Sequence, residues 1–337
     1  MKILHRQLEI ASSPHVTSGA SVDVIMRSVT LALAPVCVFA IYAFGIAVAL
    51  VLAVAVVSCM ATEHVARRVA GQPSSLGDWS VAVTGLLYGL TLPPGLPLWM
   101  VAVGGVFGVG VAKVMFGGLG SNAFNPALVG RAFLQAAFPQ AMTHWTPLAG
   151  PARFTDVPTS TLALPFAQPT YDAVTAATPL AALKFEGTAT DTSELLLGMT
   201  AGSAGETCAL LILAGGAYLV ARRMMNWRIP IGIFGAVAAL SAVFTAMGAS
   251  FPAPPGFMLF SGGLVLGAVF MATDPVASPL TNAGCWLFGA LIGFLVVVIR
   301  LWGGMPEGVM YAILLANAVS PHIDRAIQPR VFGSVKS

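Results

Sequence analysis

Few side chains in this sequence could do chemistry, and they fall in a handful of places. The stretch FGGLGSNAFNPALVGRAF, residues 116–133, carries two amides, Asn122 and Asn125, each with two donors and an acceptor. Gly117, Gly118 and Gly120 before them allow close backbone approach. The segment reads either as a tight turn with an Asn cap or as a site where freed helix-end N–H groups meet a polar ligand. Pro126 suits the first turn of a following helix. A second stretch, TDPVASPLTNAG at 273–284, brings an acid, Asp274, whose simpler reading beside Pro275 is a helix stop. Glu63 and His64 close an apolar run and read as interfacial. Ser203 and Glu206 have capping-box spacing, Ser203 accepting from the N3 amide and Glu206 reaching back to the cap amide.

The densest polar run spans residues 139–205. Asp156, Asp172, Glu186, Asp191 and Glu194 lie there among many Thr and Ser residues. Composition alone makes this a solvated loop; any chemistry must come from the order of its residues. Cys37, Cys59, Cys208 and Cys285 lie in or beside apolar segments without CxxC spacing, so they read as packing residues and give no metal or iron–sulfur site. No G-x-G-x-x-G fingerprint joins a strand to a helix, so a dinucleotide reaction would need another chain.

The elements that position these groups follow from composition. The 337 residues are 57% hydrophobic and 9% charged, against roughly a quarter charged in soluble domains. Continuous, non-alternating apolar runs make this an all-α polytopic membrane protein with lipid as its main solvent. Ten transmembrane helices are expected at about 28–44, 46–66, 79–92, 98–116, 124–138, 206–221, 229–247, 257–272, 284–302 and 306–319. The third and fifth are short enough to be half-helices. The first 23 residues hold no apolar h-region, so no cleavable leader is expected. With the N-terminus in the cytoplasm, 13 of the 16 Lys and Arg residues fall at or near the inner face, leaving Arg153, Lys184 and Arg300 outside. Both termini are then cytoplasmic and the 139–205 loop is external. The net charge of +3 follows topology and gives no reason to expect nucleic acid. A weak internal echo links Pro93-Pro94-Gly95 to Pro254-Pro255-Gly256, each preceding a Gly-rich helix.

Within the loop, Asp172-Ala-Val-Thr175-Ala-Ala-Thr178 resembles the flavinylation motif Asp-x-x-Ser/Thr-Gly-Ala-Thr, with Ala176 in place of the usual Gly. The stretches SSPHVTSGASVDVIMRSV (12–29), 116–133, LLLGMTAGSAGETCAL (195–210), FMATDPVASP (270–279) and MPEGVMYAILLANAVSPHIDR (305–325) resemble one family over essentially the whole chain. It is that of the D subunits of Rnf ion-translocating ferredoxin:NAD+ oxidoreductases. The B subunits of the sodium-pumping NADH:quinone reductase are close relatives, and the compact N-terminus sits better with the Rnf members.

The resemblance implies a single membrane domain over 1–337, in a bacterial inner membrane, with a periplasmic flavin-bearing loop at 139–205. It implies FMN joined through a phosphoester to Thr178, with Asp172 and Thr175 as recognition positions for a flavin transferase. A second, non-covalent flavin, riboflavin, is implied within the membrane part and is placed here near Asn122 and Asn125. Implied partners are the other membrane and peripheral Rnf subunits, among them a second covalent flavoprotein. The expected function is electron carriage between ferredoxin and NAD coupled to Na+ or H+ movement. No string of Asp and Glu crosses the spans, so no proton wire within this chain is expected. Gly-rich helices and broken segments also suit a secondary transporter or channel without a redox role, or a scaffold subunit.

Overall fold

The computed structural model describes residues 21–146, 153–155, 157–165, 176–198, 200–206, 208–248 and 254–328. Among the described residues there is helix and no strand. The helices are α1 (Val22–Phe44), α2 (Ile46–Val69), α3 (Ser80–Leu90), α4 (Leu98–Val109), α5 (Pro126–Ala137), α6 (Pro139–Thr143), α7 (Pro179–Ala181), α8 (Thr192–Leu197), α9 (Ala209–Ala221), α10 (Arg228–Ala246), α11 (Pro255–Phe260), α12 (Leu264–Leu266), α13 (Asn282–Trp302) and α14 (Val309–Ala326). Helix occupies each of the ten apolar runs. Four helices, α1, α2, α10 and α13, are long and apolar enough to cross a membrane; Ser80–Leu90, Leu98–Val114 and Ala209–Ala221 are shorter apolar helices. At 11 and 12 residues, α3 and α5 reach about 17 Å, roughly half a hydrocarbon core.

Lipid offers no hydrophobic drive between helices, so close van der Waals packing must hold them together. Small residues supply it. A side chain on Gly85 in α3 would sit 2.6 Å from the Val56 Cα of α2. Where α10 crosses α13, one on Gly289 would sit 2.6 Å from the Ile229 carbonyl oxygen. The other main contacts join α2 to α4, α4 to α5, α13 to α14 and α1 to α9. The cysteines behave as packing residues: Cys59, Cys208 and Cys285 are buried, Cys37 is half-buried and all four are free thiols.

The run expected as one span at 257–272 is broken. It holds α11, a kink at Ser261–Gly263 with Gly262 at φ +65°, then α12, which runs into a π-helical turn at Gly267–Met271. The break is satisfied by two charges. Arg300 donates to the carbonyls of Met258 and Ser261, the latter at 2.8 Å, and Glu307 accepts from the Gly263 amide. Arg300 is 1% exposed and closes the end of α11. α4 likewise runs into a π turn, Gly110–Val114. Thus both segments that follow a Pro-Pro-Gly stretch end in the same irregularity.

The packing makes a direct prediction. Gly85→Ala should cost about 1–3 kcal/mol through overpacking against the α2 backbone. Gly235→Ala, where the added methyl meets nothing within 4 Å, should leave stability unchanged or raise it. Thermal unfolding of the purified protein in detergent reads both.

Candidate functional site

The two Gly/Pro-marked loops meet. Asn122 donates to Asp274 at 3.1 Å and to the Phe124 carbonyl at 3.3 Å. Asp274 also accepts from the Val276 amide at 3.0 Å. Burial raises the Asp274 carboxyl above its ordinary value, while the Val276 and Asn122 bonds pull the other way. Asn125 caps α5: its oxygen accepts from the amides of Ala127 (3.0 Å) and Leu128 (3.4 Å). Its nitrogen donates to the Met271 carbonyl at 3.2 Å, so the cap of one segment is tied to the π turn of the other. The Asn125 amide thus makes structural bonds at both ends, and Asn122 is the freer of the two.

Around these loops lies an open cleft with room of about 120 Å³. Met26, Val83, Leu87, Met224, Met225 and Phe270 give it apolar walls. Ser80, Thr84, Lys113, Asn122, Thr273 and Asp274 bring polar groups to it. That is the pattern of a site for a flat, largely apolar ligand with a polar edge.

Lys113 and Ser80 are the cleft residues that the sequence did not single out. Lys113 is 3% exposed, with its ammonium 2.7 Å from Glu63 and 2.8 Å from the Ser80 hydroxyl. Ser80 in turn donates to Asp78 at 2.7 Å, and Ser75 donates to Glu63 at 2.5 Å. Glu63 is 2% exposed, with Lys113 of the π turn facing it. The usable signal is a lone Lys inside an apolar run, which has to find an internal partner.

Thr178 lies elsewhere. It is 7% exposed and caps α7, its hydroxyl oxygen accepting from the Ala181 amide at 3.2 Å. The Ala176 amide donates to the Trp145 carbonyl at 3.0 Å. Asp172 and Thr175 lie outside the described residues. Beyond α7, Lys184 donates to the carbonyls of Arg300 (2.9 Å), Gly303 (2.6 Å) and Met305 (3.3 Å), closing the C-terminus of α13. Partial burial lowers the Lys184 ammonium below its ordinary value. The Thr178 segment therefore docks at the C-terminal end of α13, and the cleft adjoins the turn before its N-terminal end. The 21 residues of α13 separate the two by roughly 30 Å. The capping box is not formed: Ser203 donates to the Glu206 carboxylate at 2.8 Å and α9 begins only at Ala209. Among the described residues, no group of three or more His, Cys, Asp or Glu could hold a metal ion.

Removing one member of a buried ion pair strands the other. Lys113→Met should cost about 3–5 kcal/mol, and Glu63→Gln/Lys113→Met should recover most of it. Melting curves of the two variants check this; a single variant as stable as the parent would sink the assignment.

The chain as a whole is similar to known proteins. Residues 9–333 match the family described as NQR2, RnfD, RnfE. The chain is 41% identical to the D subunit of the proton-translocating ferredoxin:NAD(+) oxidoreductase complex of Clostridium ljungdahlii, over 96% of each chain. It is 38% identical to the Na(+)-translocating counterpart of Acetobacterium woodii, over 98% of this chain and 96% of that one. It is also 37% identical to the D subunit of the ion-translocating oxidoreductase complex of Halorhodospira halophila, over 97% and 96%. With the match running through both π turns, the cleft and the Thr178 segment, this chain belongs to the NQR2, RnfD and RnfE family.

Proposed function

We propose that the chain is the electron-carrying membrane subunit of an Rnf-type complex, coupling electron flow between ferredoxin and NAD to movement of Na+ or H+. In this reading FMN is held by a phosphoester to Thr178, with Asp172 and Thr175 read by the flavin transferase. Riboflavin occupies the cleft beside Asn122. The observation that carries the reading is the order Asp172, Thr175, Thr178 within a chain of this family.

The residues present fit both groups. The Thr178 oxygen only accepts in its cap bond, so an ester oxygen there could keep the Ala181 contact. The cleft joins apolar walls to the Lys113 ammonium, the Ser80 hydroxyl oxygen and the Asn122 amide. Bound flavin would supply the redox chemistry, while the protein sets position and potential. Thr178 and Lys184 hold one station against the end of α13; Lys113, Ser80 and Asn122 offer hydrogen bonds at the other.

The same reading takes ten spans in a bacterial inner membrane, with both termini cytoplasmic and residues 139–205 periplasmic. The Lys and Arg bias supports that orientation. The partners are the other Rnf subunits, including a second covalent flavoprotein, with the NAD reaction on a different chain.

Two measurements test it. After expression with a flavin transferase and denaturation, the wild-type band should fluoresce in gel, Thr178→Ser should keep the signal and Thr178→Val should lose it. Fluorescence that survives in Thr178→Val would move the attachment; none in wild type would favour a transporter or scaffold. For the second flavin, Thr84→Trp should fill the cleft and remove acid-extractable riboflavin while leaving the covalent signal intact.

A further inference from the structure

A second buried polar cluster lies away from the cleft, at the break between α11 and α12. Its members come from five parts of the chain. Glu307, just before α14, accepts from the Gly263 amide and pairs with Arg131 of α5 at 3.1 Å. Glu206, just before α9, accepts from the Ser203 hydroxyl at 2.8 Å, and its carboxyl lies within hydrogen-bond reach of the Glu307 carboxyl. A side chain on Gly262 would meet Leu180, Glu307 and Arg300. A small cavity of about 10 Å³, the size of one water, opens on Glu307 and on Ser203, the partner of Glu206, with Thr91, Arg131 and Met310 also in its lining.

The two acids are not equivalent. Glu307 makes the bonds that the fold needs: it closes the start of α12 and balances Arg131. Glu206 makes none of them. The remaining charge, Arg300, has its two terminal nitrogens committed to the Met258 and Ser261 carbonyls. It adds a positive field without a bond to either acid. Tyr311 of α14 faces Arg131, and Lys184 reaches only the carbonyls of Arg300, Gly303 and Met305. Two carboxyl groups in contact cannot both ionise without strong mutual repulsion. They titrate as a pair rather than as two sites. The buried Nε atoms of Arg131 and Arg300 and the Ser261 hydroxyl have no protein partner. Polar capacity is therefore left over around the pair, as a proton-exchanging site requires.

We propose that Glu206 and Glu307 form a proton-binding carboxyl pair, with Glu307 as the charged member and Glu206 carrying the one proton, exchanged through the small cavity lined by Thr91 and Ser203. Binding takes the pair from two negative charges to one and involves no other bond. The site supplies a titratable position inside the bundle where no acidic string could be read in the sequence, because the partners lie about a hundred residues apart. It does not depend on the flavin assignments: it stands if Thr178 carries nothing. If Thr178 does carry FMN, the site sits at the break that Leu180 of the same segment overlies.

Infrared difference spectra of the chain purified in its complex, stepped from acid to alkaline pH in H2O and in D2O, test the proposal. Wild type should show a carbonyl stretch of a protonated carboxyl at neutral pH, shifted in D2O and lost on alkalinisation. The band should be lost in Glu206→Gln, since the remaining Glu307 is ionised against Arg131. It should also be lost in Glu307→Gln, where Glu206 inherits the arginine. Glu206→Gln mimics the protonated acid, so its melting temperature should match wild type at neutral pH and fall less at alkaline pH. A band unchanged in Glu206→Gln, a wild type without a protonated carboxyl at neutral pH, or a signal that follows Na+ concentration at fixed pH would each overturn it. Should Glu307→Gln not fold, Glu206→Gln decides alone.

Discussion

A backbone that leaves helical geometry inside an apolar bundle frees N–H and C=O groups that lipid cannot bond, and the break at Ser261–Gly263 is where this protein meets that demand. Each unmet buried group costs about 1–3 kcal/mol. Arg300 covers two carbonyls at the end of α11, and Glu307 takes the first amide of α12. Their signs match the dipoles of the two helix ends, cation at the C-terminus and anion at the N-terminus. Other placements follow. Arg131 is drawn inward to balance Glu307. The end of α13, fixed by Arg300, becomes the ledge on which Lys184 sets down the Thr178 segment.

Such breaks are tolerated where protein rather than lipid covers the backbone. Here the cover brings charges together that are remote in sequence, Arg131 and Glu307 being 176 residues apart. The Asn122–Asp274 bond closes a gap of 152 residues in the same manner. The bundle is thus organised at two levels by polar contacts between its early and late segments, with small-residue helix crossings filling the space between.

What could be read from the sequence was what depends on local order. The apolar runs fell where helices form, Pro126 and Asn125 began α5, and the cysteines are free thiols, three of them buried, Cys285 also donating to the Pro279 carbonyl and accepting from Asn226. What could not be read was pairing. Arg300 stands in the last turn of α13, but its carbonyl partners at the α11 break carry no signature in the sequence. The pairing of Glu63 with Lys113 runs through a π turn, which the sequence does not mark. Ser203 and Glu206 had the spacing of a cap, but the Ser203 hydroxyl donates to the Glu206 carboxylate and the helix starts later. The family resemblance added what local order could not, the order Asp172, Thr175, Thr178. The coupling ion is a different matter: relatives at 41% and 38% identity carry names with different ions, so membership of the family does not fix it.

The π turns at Gly110–Val114 and Gly267–Met271 have one more consequence. A π turn is an α-helix with one residue too many, so each advances everything beyond it by about 100°. Deleting a single residue there would restore a smooth helix and rotate the following loop to a new face. Lys113 would turn from Glu63, and Asn125 would lose Met271. The two halves meet because each has been miscounted by one.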